Sequence, residues 1–272
     1  MSLILKAIIL GIIQGLTEFL PVSSSGHLAV VEYVLKQNNA EIFPEDMLLF
    51  FNVAMHFASL LAILLFFRKR IVDMFKAGNR RVLWLIIVGS IPAGAVGALF
   101  EKSGVMDAAV EMPAVIGVCF LITAALLKLT DYSREGAFEL RAAGWRRALL
   151  VGAGQALGVL PGVSRSGSTI STGLVAGLKR EDAVVFSFFL AIPAILGATC
   201  LESLKVLMLV KDSPEKMPDW GAVLAACAAA FVVSMVAIKI LLALVRLKRF
   251  SLFAWYCVLA AAASFAVAII YR

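Results

Sequence analysis

Apolar residues run along this chain in long stretches that short polar loops separate. The hydrocarbon core of a bilayer is about 30 Å thick, so a helix needs about 20 residues to cross it. Six stretches without Asp, Glu, Lys or Arg meet or approach that length. They run from Met47 to Phe67, Val82 to Phe100, Met112 to Leu127 (extendable to Thr130), Ala183 to Leu201, Trp220 to Ile238 and Phe250 to Tyr271. The pattern predicts an all-α integral membrane protein with six transmembrane helices.

Two further apolar segments, residues 3–35 and 148–178, are each interrupted by Pro, Gly and hydroxyl side chains. The interruptions run from Leu20 to His27 and from Leu160 to Thr169. Proline disfavours helix in the residue before it and lacks an amide donor, so each segment should form two half-helices joined by irregular backbone. Such backbone is tolerated at membrane depth only where protein or a water-filled cavity surrounds it. We therefore expect two re-entrant helical hairpins.

The two interrupted segments resemble each other. When the chain is compared with itself at an offset of 141 residues, seven of 16 positions are identical. The pairs are Gly11 and Gly152, Gln14 and Gln155, Leu16 and Leu157, Val22 and Val163, Ser23 and Ser164, Ser25 and Ser166, and Gly26 and Gly167. We expect a single membrane domain, 1–272, with an inverted-topology repeat. Residues 1–130 and 140–272 are its halves, each a hairpin plus three spans, and the hairpins should meet near the membrane centre.

Composition places the chain in lipid and excludes a soluble domain, because 62% of its residues are hydrophobic, 16% are charged, and the mean hydropathy is +0.97. The net charge of +7 would suit a nucleic-acid partner, but the basic residues concentrate in alternate loops, at 68–81, 128–147 and 246–249. Basic loops face the cytoplasm under the positive-inside rule, so both termini are predicted on the outer face. The charge therefore indicates orientation, and no nucleic-acid partner is expected.

Arg165 and Glu18 lie in or beside the two interruptions, where a charge is costly. A charge near the membrane centre costs roughly 2.5–3.5 kcal/mol on insertion scales, so Arg165 needs an anionic partner. That partner is either Glu18 or a bound phosphate, whose oxygens suit a planar guanidinium. Glu18 follows Gln14 by four residues, on one helical face. Glu18 could ligate a divalent cation, act as a base, or simply pair with Arg165, and Gln14 could be a packing amide.

The serines of the first interruption have two interpretations. Ser23, Ser24 and Ser25 could cap the returning half-helix, since serine favours that position. Ser24 also lies three residues before His27, and a hydroxyl beside an imidazole is a pairing that activates a nucleophile. The second histidine, His56, sits in an uninterrupted apolar span and is interpreted as a hydrogen-bonded core residue.

Both interruptions resemble the signatures of a known family. Residues Gln14 to His27 resemble the first signature of the undecaprenyl-pyrophosphate phosphatase (bacitracin-resistance) family, and Pro161 to Thr169 resemble its second. The likeness in length, hydropathy and repeat pattern covers essentially the whole chain. By this resemblance the catalytic positions are Glu18, Ser24, His27 and Arg165, the substrate-binding positions are Ser23, Ser25, Ser164, Ser166 and Thr169, and the metal positions are Glu18 and Gln14. Gln14 stands where some members have Glu, and an amide is a weaker cation ligand.

The resemblance implies an enzyme that hydrolyses undecaprenyl pyrophosphate to undecaprenyl phosphate and inorganic phosphate, recycling the lipid carrier for cell-wall synthesis. The expected partners are this polyprenyl lipid, membrane lipid and a divalent cation, Mg²⁺ or Ca²⁺, with a monomer and a homodimer both open. The expected location is a bacterial inner membrane, with the active site opening outward. The nucleophile would be Ser24 activated by His27 or Glu18, His27 itself, or water activated by Glu18.

Two other functions compete with this one. Inverted repeats with broken half-helices are typical of transporters, so a transporter or polyprenyl-phosphate flippase is the main alternative. The other class of membrane lipid phosphatase uses a second histidine a few residues after its Ser-Arg pair. The corresponding stretch here, 170–174, contains no histidine, which argues against that class.

Overall fold

The computed structural model describes residues 2–43, 45–76, 80–103, 105–133, 136–212, 219–247 and 250–272. Within these ranges there are twelve α-helices, so the prediction of an all-α protein is confirmed. They are α1 Leu3–Phe19, α2 Ser24–Gln37, α3 Glu45–Phe66, α4 Arg68–Met74, α5 Arg80–Ser103, α6 Val105–Val110, α7 Pro113–Leu129, α8 Trp145–Leu157, α9 Arg165–Val175, α10 Arg180–Asp212, α11 Trp220–Arg246 and α12 Ser251–Ile270. Arg134, Lys248 and Arg249 of the predicted basic loops lie outside the described residues.

Six of the described helices are long and apolar enough to cross a membrane, as predicted. They are α3, α5, α7, α10, α11 and α12. The main difference from prediction is in α10, whose apolar span reaches from Arg180 to Met208 instead of ending at Leu201. The helix continues through Pro193 without ending. Neighbouring helices can satisfy the carbonyl that a proline frees inside a membrane helix, so the apolar run alone does not fix where the helix stops.

The two interrupted segments fold as pairs of short helices. The first broken segment is α1, a turn at residues 20–23, and α2; the second broken segment is α8, a turn at 158–164, and α9. The four helices contain 17, 14, 13 and 11 residues. At about 1.5 Å per residue each is shorter than the roughly 30 Å apolar layer. Ser23 and Gly162 have φ values of 69° and 93°, so each turn is a sharp reversal where helix cannot continue.

Each broken segment lies close against a long helix from the other half of the chain. A Cβ added at Gly11 in α1 would lie 2.3 Å from the Ala226 carbonyl oxygen of α11. A Cβ at Gly152 in α8 would lie 2.2 Å from the Gly89 carbonyl oxygen of α5. Both distances are far inside van der Waals contact, so only glycine permits these helix approaches. The two glycines, paired by the sequence offset, occupy corresponding places in the packing.

Buried aromatic rings pack beneath the first turn. Phe19 stacks edge-on against Phe188 with ring centroids 5.3 Å apart, and Phe188 contacts Phe67 at 5.7 Å. All three side chains are buried. Tightly packed rings of this kind hold their neighbours in one arrangement, so the backbone beside Phe19 is fixed on one side by the core.

Candidate active site

The turns of the two broken segments meet in the interior of the bundle. Ser166 Oγ donates to the Leu20 carbonyl at 3.1 Å, and the Gly162 amide donates to Ser25 Oγ at 3.4 Å. The second turn is also tied to α7, because the Ser164 amide donates to Thr123 Oγ1 at 3.0 Å. Side chains that are 147 residues apart in sequence therefore share one polar centre.

The helices that leave the two turns are capped in the same way. Ser23 caps α2 by accepting from the Gly26 amide at 3.3 Å, and Ser164 caps α9 by accepting from the Gly167 amide at 3.0 Å. Both helices therefore begin at the turns, beside the contacts that join the two broken segments. Helix N-termini favour anions through their amides and the helix dipole, so the centre is electrostatically suited to a phosphate.

An ion pair joins the two broken segments at this centre. Arg165 Nη2 donates to Glu18 Oε1, and the Glu18 and Arg165 side chains are only 4% and 18% exposed. Arg165 Nη1 is buried and has no hydrogen-bond partner among the described residues. A buried donor without an acceptor is unfavourable, so the guanidinium holds one position ready for an oxygen that the described residues do not supply.

Ser24 binds Glu18, and among the described residues no hydrogen bond joins Ser24 to His27, the other partner considered. Ser24 Oγ donates to Glu18 Oε2 at 2.6 Å. His27 Nδ1 instead donates to the Ser23 carbonyl at 2.7 Å, because a carbonyl can only accept. His27 Nε2 is therefore the accepting nitrogen of the neutral ring, and it receives the Tyr256 hydroxyl at 2.8 Å. Both ring nitrogens of His27 therefore bind groups other than Ser24.

His56 belongs to this centre, although the sequence suggested only a core histidine. Its Nδ1 lies 2.9 Å from Glu18 Oε2 and 2.8 Å from Gln14 Nε2. Gln14 Nε2 also donates to Glu18 Oε2 at 3.0 Å, as expected for residues one turn apart. The available signal was an ionisable residue inside a membrane span, which is a functional candidate by default. The same rule selected Glu18 and should have selected His56.

The other predicted substrate-binding residues have contacts within the turns. Ser25 and Ser166 bridge the two broken segments, and Ser23 and Ser164 are caps. Thr169 is fully buried, and its hydroxyl donates to the Arg165 carbonyl at 2.7 Å and lies 2.6 Å from Ser187 Oγ. These contacts stabilise the turn geometry, and whether any of the five hydroxyls binds substrate stays a prediction.

The donors suited to a divalent cation are few. In the parts of the chain that the structure describes, no group of three His, Cys, Asp or Glu side chains is placed to hold a metal. Glu18 offers carboxylate oxygens, and Gln14 Oε1 is buried without a partner among the described residues. Mg²⁺ commonly takes one or two carboxylates and completes its shell with phosphate oxygens and water. Glu18 and Gln14 are therefore the residues that would hold a cation, with the rest of its shell supplied by a phosphate ligand and water, and the cation stays a prediction.

Comparison with known proteins places this geometry in a family. The sequence matches the family described as "Bacitracin resistance protein BacA" over residues 7–263. It is similar to proteins named undecaprenyl-diphosphatase from Korarchaeum cryptofilum (36% identical, covering 94% of this chain and 96% of the relative) and Methanobrevibacter smithii (38%, 93% and 94%). A third, from Desulfosudis oleivorans, has the same name and is 38% identical over 93% and 94% of the two chains.

Two of these relatives are archaeal, so similarity of this kind does not restrict the chain to bacteria. The family match spans both broken segments and all six candidate membrane helices almost to the end of α12. The chain belongs to the bacitracin resistance protein BacA family.

Proposed function

We propose that this protein is an undecaprenyl-diphosphatase, which hydrolyses undecaprenyl pyrophosphate to undecaprenyl phosphate and inorganic phosphate. Family membership and the names of the relatives support this activity. The observation that carries it is the Arg165–Glu18 pair, with a serine hydroxyl on the carboxylate and a free guanidinium nitrogen. That combination offers an anion site, a nucleophile and a base within one buried centre. The product would return to the lipid-carrier pool for cell-wall synthesis.

The chemistry begins when the terminal phosphate reaches Arg165. Its oxygens compete with Glu18 for the guanidinium and take the donor that has no protein partner, while helix N-terminal amides bind the same charge. Glu18 then loses its cationic partner and is free to accept a proton. Ser24, whose hydroxyl already points at this carboxylate, is the group that can supply one.

In the proposed step, Ser24 Oγ attacks the terminal phosphorus and its proton passes to Glu18. The new Ser24–phosphorus bond replaces the bond to the bridging oxygen, and undecaprenyl phosphate leaves with the electron pair of that bond. Water then attacks the phosphoserine, giving inorganic phosphate and restoring the hydroxyl. Direct attack by water would use Glu18 as the base and Arg165 as the anion site. His27 as nucleophile is disfavoured because its Nε2 binds the Tyr256 hydroxyl. Phosphoryl transfer needs mainly positioning and charge stabilisation, which this centre supplies.

A divalent cation, Mg²⁺ or Ca²⁺, completes this proposal. Glu18 and Gln14 would hold it together with oxygens of the diphosphate. When bound, it would neutralise part of the phosphate charge. His56 and Gln14, through their contacts with Glu18 Oε2, orient the carboxylate toward Ser24.

The proposed topology has the two broken segments as re-entrant hairpins that enter from opposite faces. The helix lengths support this, since none of the four covers the apolar layer. The corresponding contacts at Gly11 and Gly152, and the corresponding caps at Ser23 and Ser164, support an inverted repeat. The basic loops then face the cytoplasm and both termini face outward. The active site would open to the outer side, where the lipid head group is exposed.

Phosphate release from undecaprenyl pyrophosphate by the purified full-length protein tests the function directly. We expect release to fall on the order of a thousand-fold or more in Arg165→Ala, with the variant still folded. Arg147→Ala is the matched control, because its guanidinium contacts the Ala176 carbonyl at 3.0 Å and the Phe138 ring at 3.7 Å and has no contact with Glu18 among the described residues, so it should retain activity. Absence of release from the unaltered protein, with movement of the lipid across vesicles, would support the flippase alternative and contradict the proposal.

A further inference from the structure

A second cluster of charged side chains surrounds a cavity of about 440 Å³ where α3, α10 and α11 have their ends. The charged residues that line it are Arg68, Lys69, Arg70, Arg246 and Glu181. Arg246 Nε donates to Glu181 Oε1 at 2.7 Å, and Asp182 interacts with Arg70 from outside the lining. Among the described residues, Arg68 Nη1 has one hydrogen bond, to the Leu65 carbonyl at 3.3 Å. The wall is therefore net positive, which favours an anionic ligand.

Apolar side chains form the rest of this cavity. Phe66, Val185 and Leu242 line it below the charged groups. The candidate membrane spans end at Phe66 and Arg246, and another begins at Arg180. The charged rim thus lies at the level where three spans leave the apolar layer, which is the level of lipid head groups. A ligand with an anionic head and an apolar tail matches both parts of the wall.

This cavity is separate from the candidate active site. The Phe67 ring lines it, and Phe67, Phe188 and Phe19 form a continuous aromatic contact toward Glu18. The three side chains are 5%, 1% and 0% exposed, so no open path runs through them. An anion held by Arg68 and Arg70 therefore does not reach the Arg165–Glu18 pair.

We propose that this cavity binds an anionic phospholipid of the adjacent leaflet. The phosphate head lies among Arg68, Lys69 and Arg70, and an acyl chain lies along Val185 and Leu242. Basic pockets between the ends of membrane helices are suited to anionic head groups, and each nearby cation adds to the attraction. A free phosphate ion would use the same cations but would leave the apolar wall without a ligand.

Lipid-dependent stabilisation of the full-length protein tests this site. The protein is placed in nanodiscs of phosphatidylcholine with increasing phosphatidylglycerol, and the melting temperature gives the apparent lipid affinity. Removing two cations in Arg68→Gln/Arg70→Gln should weaken that affinity roughly thirty-fold. The control Lys128→Gln/Arg146→Gln removes the same charge from another basic loop and should keep it. Equal weakening in both double variants would show diffuse surface attraction and overturn the proposal.

Two further measurements identify the ligand and its place. Inorganic phosphate added to the unaltered protein should not displace phosphatidylglycerol; displacement would identify a free-anion site instead. Phosphatidylglycerol with a photoreactive acyl chain should label α10 near Val185 or α11 near Leu242, and labelling confined to other helices would contradict the site even if the double variant failed to fold. Phosphate release in pure phosphatidylcholine should be unchanged in Arg68→Gln/Arg70→Gln, so this proposal and the phosphatase activity can fail independently.

Discussion

The two broken segments share a backbone plan and differ in chemistry. Each approaches a long helix at a glycine and reverses in a sharp turn, and each caps its returning helix with serine. The residue after the cap, however, is Ser24 in the first segment and Arg165 in the second, although the two positions correspond at the offset of 141. Glu18 likewise corresponds to Val159. The first segment thus supplies hydroxyl and carboxylate, and the second supplies the cation.

This division explains why neither segment could form the site alone. A lone Glu18 or a lone Arg165 at this depth would be an unpaired buried charge, which costs several kcal/mol. The contacts of Ser25 with the Gly162 amide and of Ser166 with the Leu20 carbonyl hold the two turns at the distance that the ion pair needs. The shared backbone plan therefore serves as a frame, and the differences between the segments supply the reaction.

Removing the Ser24 hydroxyl, which the second segment lacks, should have the largest effect on activity. Ser24→Ala is expected to lower kcat at least about a thousand-fold, because it removes a group needed only in the transition state, and to change KM little. Ser264→Ala is the matched control, since its buried hydroxyl donates to the Ala260 carbonyl of its own helix at 3.0 Å, and it should lose far less. Phosphate release measured over a range of substrate concentrations separates the two. An unchanged kcat in Ser24→Ala would exclude it as nucleophile and leave water activated by Glu18.

Gly11 and Gly152 predict an equal loss of stability when either is replaced by alanine. Gly11→Ala and Gly152→Ala would each drive a Cβ into a backbone oxygen, so we expect a loss of about 1–3 kcal/mol in the free energy of unfolding. Gly94→Ala, in α5 with open space around it, should be neutral or stabilising by up to about 1 kcal/mol. Thermal unfolding in detergent measures all three. Tolerance of alanine at one glycine alone would break the correspondence between the segments.

Variants of His56 test whether a hydrogen bond from this residue orients the Glu18 carboxylate. His56→Gln can keep a hydrogen bond to Glu18, so kcat should fall only about ten-fold, whereas His56→Leu removes the polar group beside Glu18 and should lose more. Kinetic measurements on both variants, with His27→Gln for comparison, give the order of effects. If glutamine and leucine at position 56 behaved alike, a role through hydrogen bonding to Glu18 would be excluded.

The smallest expected effect is a difference in stability between variants of the two capping serines. Ser23 has φ 69°, a left-handed conformation that suits glycine, whereas Ser164 has φ −69°. Ser23→Gly loses a cap bond but relieves about 1–2 kcal/mol of backbone strain, while Ser164→Gly loses the bond without relief. We expect Ser164→Gly to be the less stable variant by about 1 kcal/mol in chemical unfolding. The reverse order would mean that the Ser23 turn is not strained.

Much of the fold followed from the sequence. Apolar runs located all six membrane helices, and they located the start of α11 at Trp220 correctly. The end of α10 was less predictable, because the helix runs beyond its apolar stretch and through Pro193. Hydrophobicity reports where a segment meets lipid, whereas backbone hydrogen bonds decide where a helix ends.

The candidate site was predictable in part for a related reason. Glu18 and Arg165 carry charges whose cost in lipid demands a partner, so their pairing could be expected from the sequence. The positions of His56 and Tyr256 depend on which faces of α3 and α12 turn toward the first broken segment. Local spacing also suggested Ser24 with His27, but the strained Ser23 carbonyl takes the imidazole instead. The turn conformation at Ser23, which the sequence spacing does not show, therefore decides the partner of His27.

A double-mutant cycle on Glu18 and Arg165 tests most directly whether the two broken segments join through one ion pair. The free energy of unfolding is measured for Glu18→Gln, Arg165→Gln and the double variant in the same detergent. We predict a coupling of at least about 2 kcal/mol, with the double variant more stable than either single variant because neither charge is left alone. Additive losses with no coupling would mean that the two side chains do not meet, and the proposed site would be contradicted.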